Sequence, residues 1–158
     1  MQLYSVIGVF ILVGSGIAGA WAMIRKAQAS LHQVDALIAF LRYARIEVEC
    51  FSMPVSQILQ RADQSLIEAC GCSARGAERL DDFFVRCEIS DKEAYDILQK
   101  FANDFGKGYR EEQLRECDYY LDMLIRRREE LAAHLPKKMK LDATLCICLA
   151  LAVAVLLL

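Results

Sequence analysis

The sequence predicts an all-α protein, a helical bundle between two transmembrane helices, and three observations carry that reading. An uncharged apolar stretch stands at each end, apolar residues recur at helical spacing between them, and prolines and glycines fall where helices would break. Met1 to Ile24 holds no Asp, Glu, Lys or Arg. At about 1.5 Å per residue it can cross a hydrocarbon core of about 30 Å. From Ala143 to Leu158 nothing is charged either, a short run that must stand upright or draw in Leu141. The expected organisation is a transmembrane helix over 1–24, a cytosolic helical domain over 25–140 and a C-terminal transmembrane helix over 141–158.

Orientation follows from Lys and Arg, which collect on the cytoplasmic side of short flanking segments. Arg25 and Lys26 follow the first stretch; Arg126, Arg127, Arg128, Lys137, Lys138 and Lys140 precede the second. Both termini are expected outside, with the middle of the chain in the cytosol. Arg25, Lys26, Lys137, Lys138 and Lys140 are candidates for facing anionic lipid. A cleaved secretory signal needs positive charge before its apolar core, and here the charge comes after it.

Each element of the domain has a local reason. Leu31, Val34, Ile38 and Leu41, joined by Leu37, Phe40, Ala44 and Val48, carry the first helix onward without a break. Pro54 should end it and open a short helix through Val55, Ile58, Leu59 and Ala62. Ala69 to Gly76 reads as a loop, and a helix from about Ala77 to Cys87 can bury Leu80, Phe83 and Phe84. Ser90 with Glu93 makes a capping box for the next helix, which sets Ala94, Ile97, Leu98, Phe101 and Phe105 on one side. Gly106 and Gly108 supply left-handed conformations that close it. Leu114, Cys117, Leu121, Leu124, Arg128, Leu131 and Leu135 then form the seam of a last soluble helix, interrupted only by Arg128 and separated from the terminal span by Pro136. The simplest architecture folds this helix back against the one starting near Arg25. The short helices then sit at the distal end, away from the membrane.

The chemistry-bearing residues are few. No phosphate loop, HExxH, GxSxG or GxGxxG occurs, and His32 and His134 are the two histidines. Glu111-Glu112 and Glu129-Glu130 are adjacent rather than one turn apart, so each pair points two ways. Catalytic, cofactor-binding and metal residues are accordingly assigned to none, and the reading is not an enzyme. Seven cysteines, with no CxxC pair and two of them, Cys146 and Cys148, in the apolar tail, read as reduced structural thiols. A formal net charge of −2 offers no basic field for nucleic acid. What remains is assembly. Gly14, Ser15, Gly16, Ala18, Gly19 and Ala20 generate overlapping small-xxx-small pairs, and Cys146, Ala150 and Ala154 follow at steps of four. These are the candidate helix–helix contacts, between the two spans or with spans of partners, and a homo-oligomer fits the same pattern.

Four features together resemble the stage III sporulation protein AB family of endospore-forming bacteria. They are the first span with its basic pair; Ile46-Glu47 leading to Met53-Pro54-Val55; Phe101 to Gly106 with Gln113 downstream; and the basic hinge before a short C-terminal span. The chain departs from the family's pattern at Phe105, at Gly108-Tyr109-Arg110 and in a short 69–76 region. The resemblance implies a membrane component of the channel between mother cell and forespore, in the mother-cell membrane. The family's soluble domain is similar to the cytoplasmic domain of type II secretion and type IV pilus platform proteins. By that analogy it docks the ATPase stage III sporulation protein AA and joins other channel membrane proteins. The exposed surface around Arg75 to Tyr109, with Arg79, Lys92, Lys107 and Arg110, would steer that encounter. Two alternatives stay open: a membrane-tethered oligomerising scaffold unrelated to sporulation, and a thiol-based sensor using Cys70 or Cys72.

Overall fold

Nothing after Gln2 stops the first helix until Pro54, and in the computed structural model α1 runs unbroken over Gln2–Phe51. The structure describes all residues except 1, 52, 73–76, 78 and 157–158; in the long helices, side chains at 2–18, 20, 23, 134–143 and 146–156 are not described. Five further helices follow among the described residues: α2 (Val55–Arg61), α3 (Gln64–Ala69), α4 (Leu80–Val85), α5 (Lys92–Asp104) and α6 (Arg110–Leu156). The protein is all-α. It divides into two compact units, one of Met1–Ala29 with Leu131–Leu158, the other of Ser30–Glu130. Among the described residues no helix is long and apolar enough to cross a membrane. The expected spans over 1–24 and 141–158 lie largely outside the described residues, since only Gly19, Trp21, Ala22, Ile24, Thr144 and Leu145 have described side chains there.

Within Ser30–Glu130, α1 and α6 are antiparallel. Arg128 Nε donates to Asp35 Oδ1 at 2.8 Å and Arg45 Nε to Asp118 Oδ1 at 2.6 Å, so advancing along α1 means retreating along α6. Exposed pairs of this kind contribute about 0–1 kcal/mol each and set register more than stability. Arg128 therefore interrupts the apolar seam because it reaches across to α1. Stability comes from the core beside it: Val34, Leu37, Phe40, Leu41, Ala44 and Val48 of α1 are buried, as are Cys117, Tyr120, Leu121 and Leu124 of α6. Phe40 stacks on Phe83 of α4 at 5.3 Å, and Phe101 of α5 meets Tyr120 edge-on at 5.6 Å. Each buried aromatic contributes about 1.5–3 kcal/mol from area alone.

The short helices lie alongside the long pair, which corrects the expectation that they gather at its distal end. Tyr43 Oη donates to Ile58 O at 3.4 Å, and ten residues back along α1 Gln33 Nε2 donates to Cys70 O at 3.0 Å and to Glu88 O at 2.7 Å. The Ser90 N–H donates to Gln33 Oε1 at 2.9 Å. Thus α2 and α3 retrace α1 toward the end where the chain enters, and α5 starts from there. That start corrects a second expectation. The N-cap is Asp91, not Ser90: Asp91 Oδ1 accepts from Ala94 N at 2.9 Å while Arg127 bonds both its oxygens, at 3.0 and 2.8 Å. The Ser90 backbone N–H is engaged by Gln33 one residue ahead of that cap.

Other boundaries shift for local reasons. Asp63 accepts from the Ser65 N–H and opens α3 in the stretch left unassigned between the short helix through Ala62 and the loop from Ala69. Only Gly106 takes the left-handed conformation (φ 88°) after α5. α6 passes through Pro136, whose missing N–H removes one bond without ending a long helix. The reading of reduced thiols is corrected too: Cys72 and Cys87, 15 apart in sequence, form a disulfide. A Glu88 N–H bond to Gly71 O at 2.9 Å draws those two segments together, leaving the bridged Cα atoms 4.0 Å apart.

Two outcomes follow. The Arg127 guanidinium, with burial opposing it and the Ala94 N–H assisting, holds the Asp91 carboxyl below the usual range. Its contribution is complete above the unfolded value of about 3.9 and is lost as pH falls through the folded value. Asp91→Asn should therefore flatten the fall of melting temperature below about pH 4 and, through loss of the charge-assisted pair with Arg127, cost about 1 kcal/mol at neutral pH, the cap itself being kept by an Asn side chain. Reducing the Cys72–Cys87 bridge should lower unfolding free energy by up to about 3 kcal/mol, the loop-closure contribution of a loop this size, as measured in denaturant with and without reductant.

Candidate functional site

The end of the domain away from Ser30 and Glu130 is made where three chain breaks meet. α1 stops at Phe51 with no basic residue in its last turn, so its final carbonyls need donors from elsewhere. Arg110, the first residue of α6, supplies them: its Nε donates to Val48 O at 3.4 Å and its guanidinium also donates to Glu49 O. Pro54 caps α2 in extended conformation (ψ 150°), and its carbonyl accepts from Gln57 N and Ile58 N. Gly106 turns the chain beneath α2 so closely that a Cβ there would stand 3.1 Å from Val55 Cγ2. Gln113 Nε2 holds the same turn by donating to Gly108 O at 2.8 Å.

Together these residues enclose a cleft of about 530 Å³ lined by Val48, Met53, Pro54, Val55, Ser56, Gly106, Arg110 and Gln113. Two large side chains adjoin it in sequence and face solvent: Tyr109 is 90% exposed and Phe51 62%. Exposed aromatics beside a partly apolar hollow suit a protein partner's side chain. Met53-Pro54-Val55, Gly106 and Gln113 are far apart in sequence and are the positions on which the family resemblance was read; the fold brings them to one place.

The steering charges fare differently. Arg75 lies outside the described residues. Arg79 is bonded to Asp81 at 3.0 and 2.9 Å, and Arg110 is occupied at the end of α1. Lys92 and Lys107 are exposed. The thiols do not favour a sensor: Cys72 is bridged, and burial pushes the Cys70 thiol up to about 12, far from a thiolate at neutral pH. Of the candidate helix contacts, Gly19 has nothing within 4 Å of where a Cβ would stand. Gly14, Ser15, Gly16, Ala18, Ala20, Cys146, Ala150 and Ala154 lie outside the described side chains, as do Lys137, Lys138 and Lys140. Arg25 and Lys26 are exposed. Sequence reasoning missed Gln33, a lone glutamine on a helix with no signal of its reach, and the capping role of Arg110.

The model of the family described as stage III sporulation protein AB matches residues 78–158. Gly106 and Gln113 lie inside that match, and Met53-Pro54-Val55 ahead of it. No curated protein and no solved structure matches the chain.

Gly106→Ala should destabilise the domain by about 1–2 kcal/mol, since it adds left-handed strain to a contact with Val55 that is already tight. Urea unfolding of the purified protein measures it.

Proposed function

The chain belongs to the stage III sporulation protein AB family, and from that premise we propose that it is a non-enzymatic membrane component of the sporulation channel. In this reading the uncharged ends are transmembrane helices of the mother-cell membrane around the forespore, and both termini lie outside. The Ser30–Glu130 unit stands in the cytosol. Its far end docks a cytosolic ATPase, stage III sporulation protein AA, and the small residues of the spans contact other channel membrane proteins.

One observation carries the docking assignment: Tyr109 and Phe51 are held in solvent beside a cleft at the end remote from where the chain enters and leaves the domain. A monomer gains nothing by exposing them there, whereas an interface gains most from buried aromatic anchors. The mechanism is mechanical coupling. α1 (Gln2–Phe51) and α6 (Arg110–Leu156) each lead out of the domain with no intervening loop, so these two helices are the elements that would pass on a displacement imposed by the ATPase. The basic residues at both membrane borders support the orientation.

Tyr109→Ala and Phe51→Ser should each weaken ATPase binding by about 1–2 kcal/mol, roughly tenfold, in co-purification or titration, with melting temperature unchanged because both side chains are exposed. Wild-type affinity in both variants would move the docking site elsewhere.

A further inference from the structure

The cleft at the far end of Ser30–Glu130 has a rim of predominantly one sign. Residues 45–56 and 104–118, which build that end, hold seven carboxylates against four bases, so the negative charge of the chain is concentrated there. Two of the four bases are already engaged: Arg110 by the carbonyls of Val48 and Glu49, and Arg45 by Glu49 at 2.5 Å and Asp118 at 2.6 Å. Glu111 and Glu112 stand exposed beside Tyr109, in the first turn of α6. The positive end of a helix accounts for carboxylates at that position. It does not account for Glu116, one turn beyond Glu112 on the same face, where like charges repel. Glu116 Oε2 is buried and meets no hydrogen-bond donor among the described residues. Burial, then Asp104 and Glu112, push its carboxyl above the usual carboxylate range, and Arg115 and Lys107 oppose them without cancelling them.

We propose that the cleft takes a cationic segment of its partner, which sets an apolar side chain against Tyr109 and Phe51 and its Lys or Arg side chains on the surrounding carboxylates. The inference rests on the reading of this cleft as the docking site and adds the chemistry of the occupant. Val48, Met53 and Val55 in the lining suit an apolar group. Lys and Arg carry aliphatic stems under charged heads, so one segment matches both parts of the surface. The exposed ring of Tyr109 also attracts a guanidinium or ammonium over its face. A negative rim steers a positive segment inward and turns acidic ones away. The sign is the reverse of the one expected from the sequence. Of the bases named there, Arg79 and Arg110 are bonded within the domain, and Lys92 stands at the start of α5, at the opposite end.

The test measures association and dissociation rates of the full chain in neutral detergent, with the purified ATPase, stage III sporulation protein AA, as the probe. Association should slow several-fold as salt rises from about 50 to about 200 mM. Glu111→Gln with Glu112→Gln should slow it roughly three- to tenfold at the lower salt and weaken the salt dependence, with dissociation close to wild type. Asp122→Asn with Glu129→Gln removes two exposed carboxylates further along α6 and should bind as wild type. Association of the unmodified chain that is indifferent to salt, or rises with it, overturns the cationic partner without any variant. So does a Glu111 and Glu112 variant that associates at the wild-type rate or faster; if Tyr109→Ala still weakens binding, the docking site itself stands. Equal slowing in the Asp122 and Glu129 variant reports overall charge and overturns the assignment to the cleft rim. Wild-type affinity in both Tyr109→Ala and Phe51→Ser removes the docking site, and this inference with it.

Discussion

The antiparallel pairing of α1 with α6 is the constraint from which the rest of the domain follows. Each helix contributes a buried stripe, and the ion pairs Asp35–Arg128 and Arg45–Asp118 fix which turn faces which. With that register set, the connection between the two helices has to start at Phe51, travel back, and return to Arg110 within one end-to-end length of the domain. α2 and α3 make the backward journey and α5 the forward one. α4 fills the side, delivering Phe83 and Phe84 to Phe40.

Polar groups then pin the turning points. At the entry end Gln33 satisfies the carbonyls of Cys70 and Glu88 and the Ser90 N–H, and Arg127 clamps Asp91 while Asp91 caps α5. One side chain on each long helix thus holds the loops between the short ones. At the far end Arg110 plays the comparable part for the carbonyls of α1. These bonds contribute about 1 kcal/mol each in net terms.

The parts legible in the sequence were those governed by periodicity. Phe101, Leu98 and Ala94 on α5, and Cys117, Leu121 and Leu124 on α6, are buried as their spacing requires, and α1 continues into the domain without a break. What was not legible depended on contacts distant in sequence. Ser90 and Asp91 are both capable caps, and the choice between them is made by Gln33 and Arg127, neither of which is local. α3 did leave a signal, Asp63 followed by Ser65, but six residues are too few for periodicity to register. The cleft could not be read as a place, although several of its residues could be read as a resemblance, because only the turn at Gly106 carries it against Val55.

The Cys72–Cys87 bridge bears on the compartment. Thiols in a mesophile's cytosol are kept reduced, and a disulfide there is usually transient. A domain that depended on the bridge would conflict with the cytosolic placement proposed above. The bridged segments, however, are also joined by Glu88 N to Gly71 O and by both donor bonds of Gln33, which reach Cys70 and Glu88 on either side of it. Phe83 and Phe84, inside the loop that the bridge closes, are anchored independently on Phe40. The hydrogen bonds and the aromatic cluster therefore define the same loop positions that the disulfide does. Loss of the bridge removes a constraint on the unfolded chain more than a determinant of the folded one, so a cytosolic location and this fold are compatible.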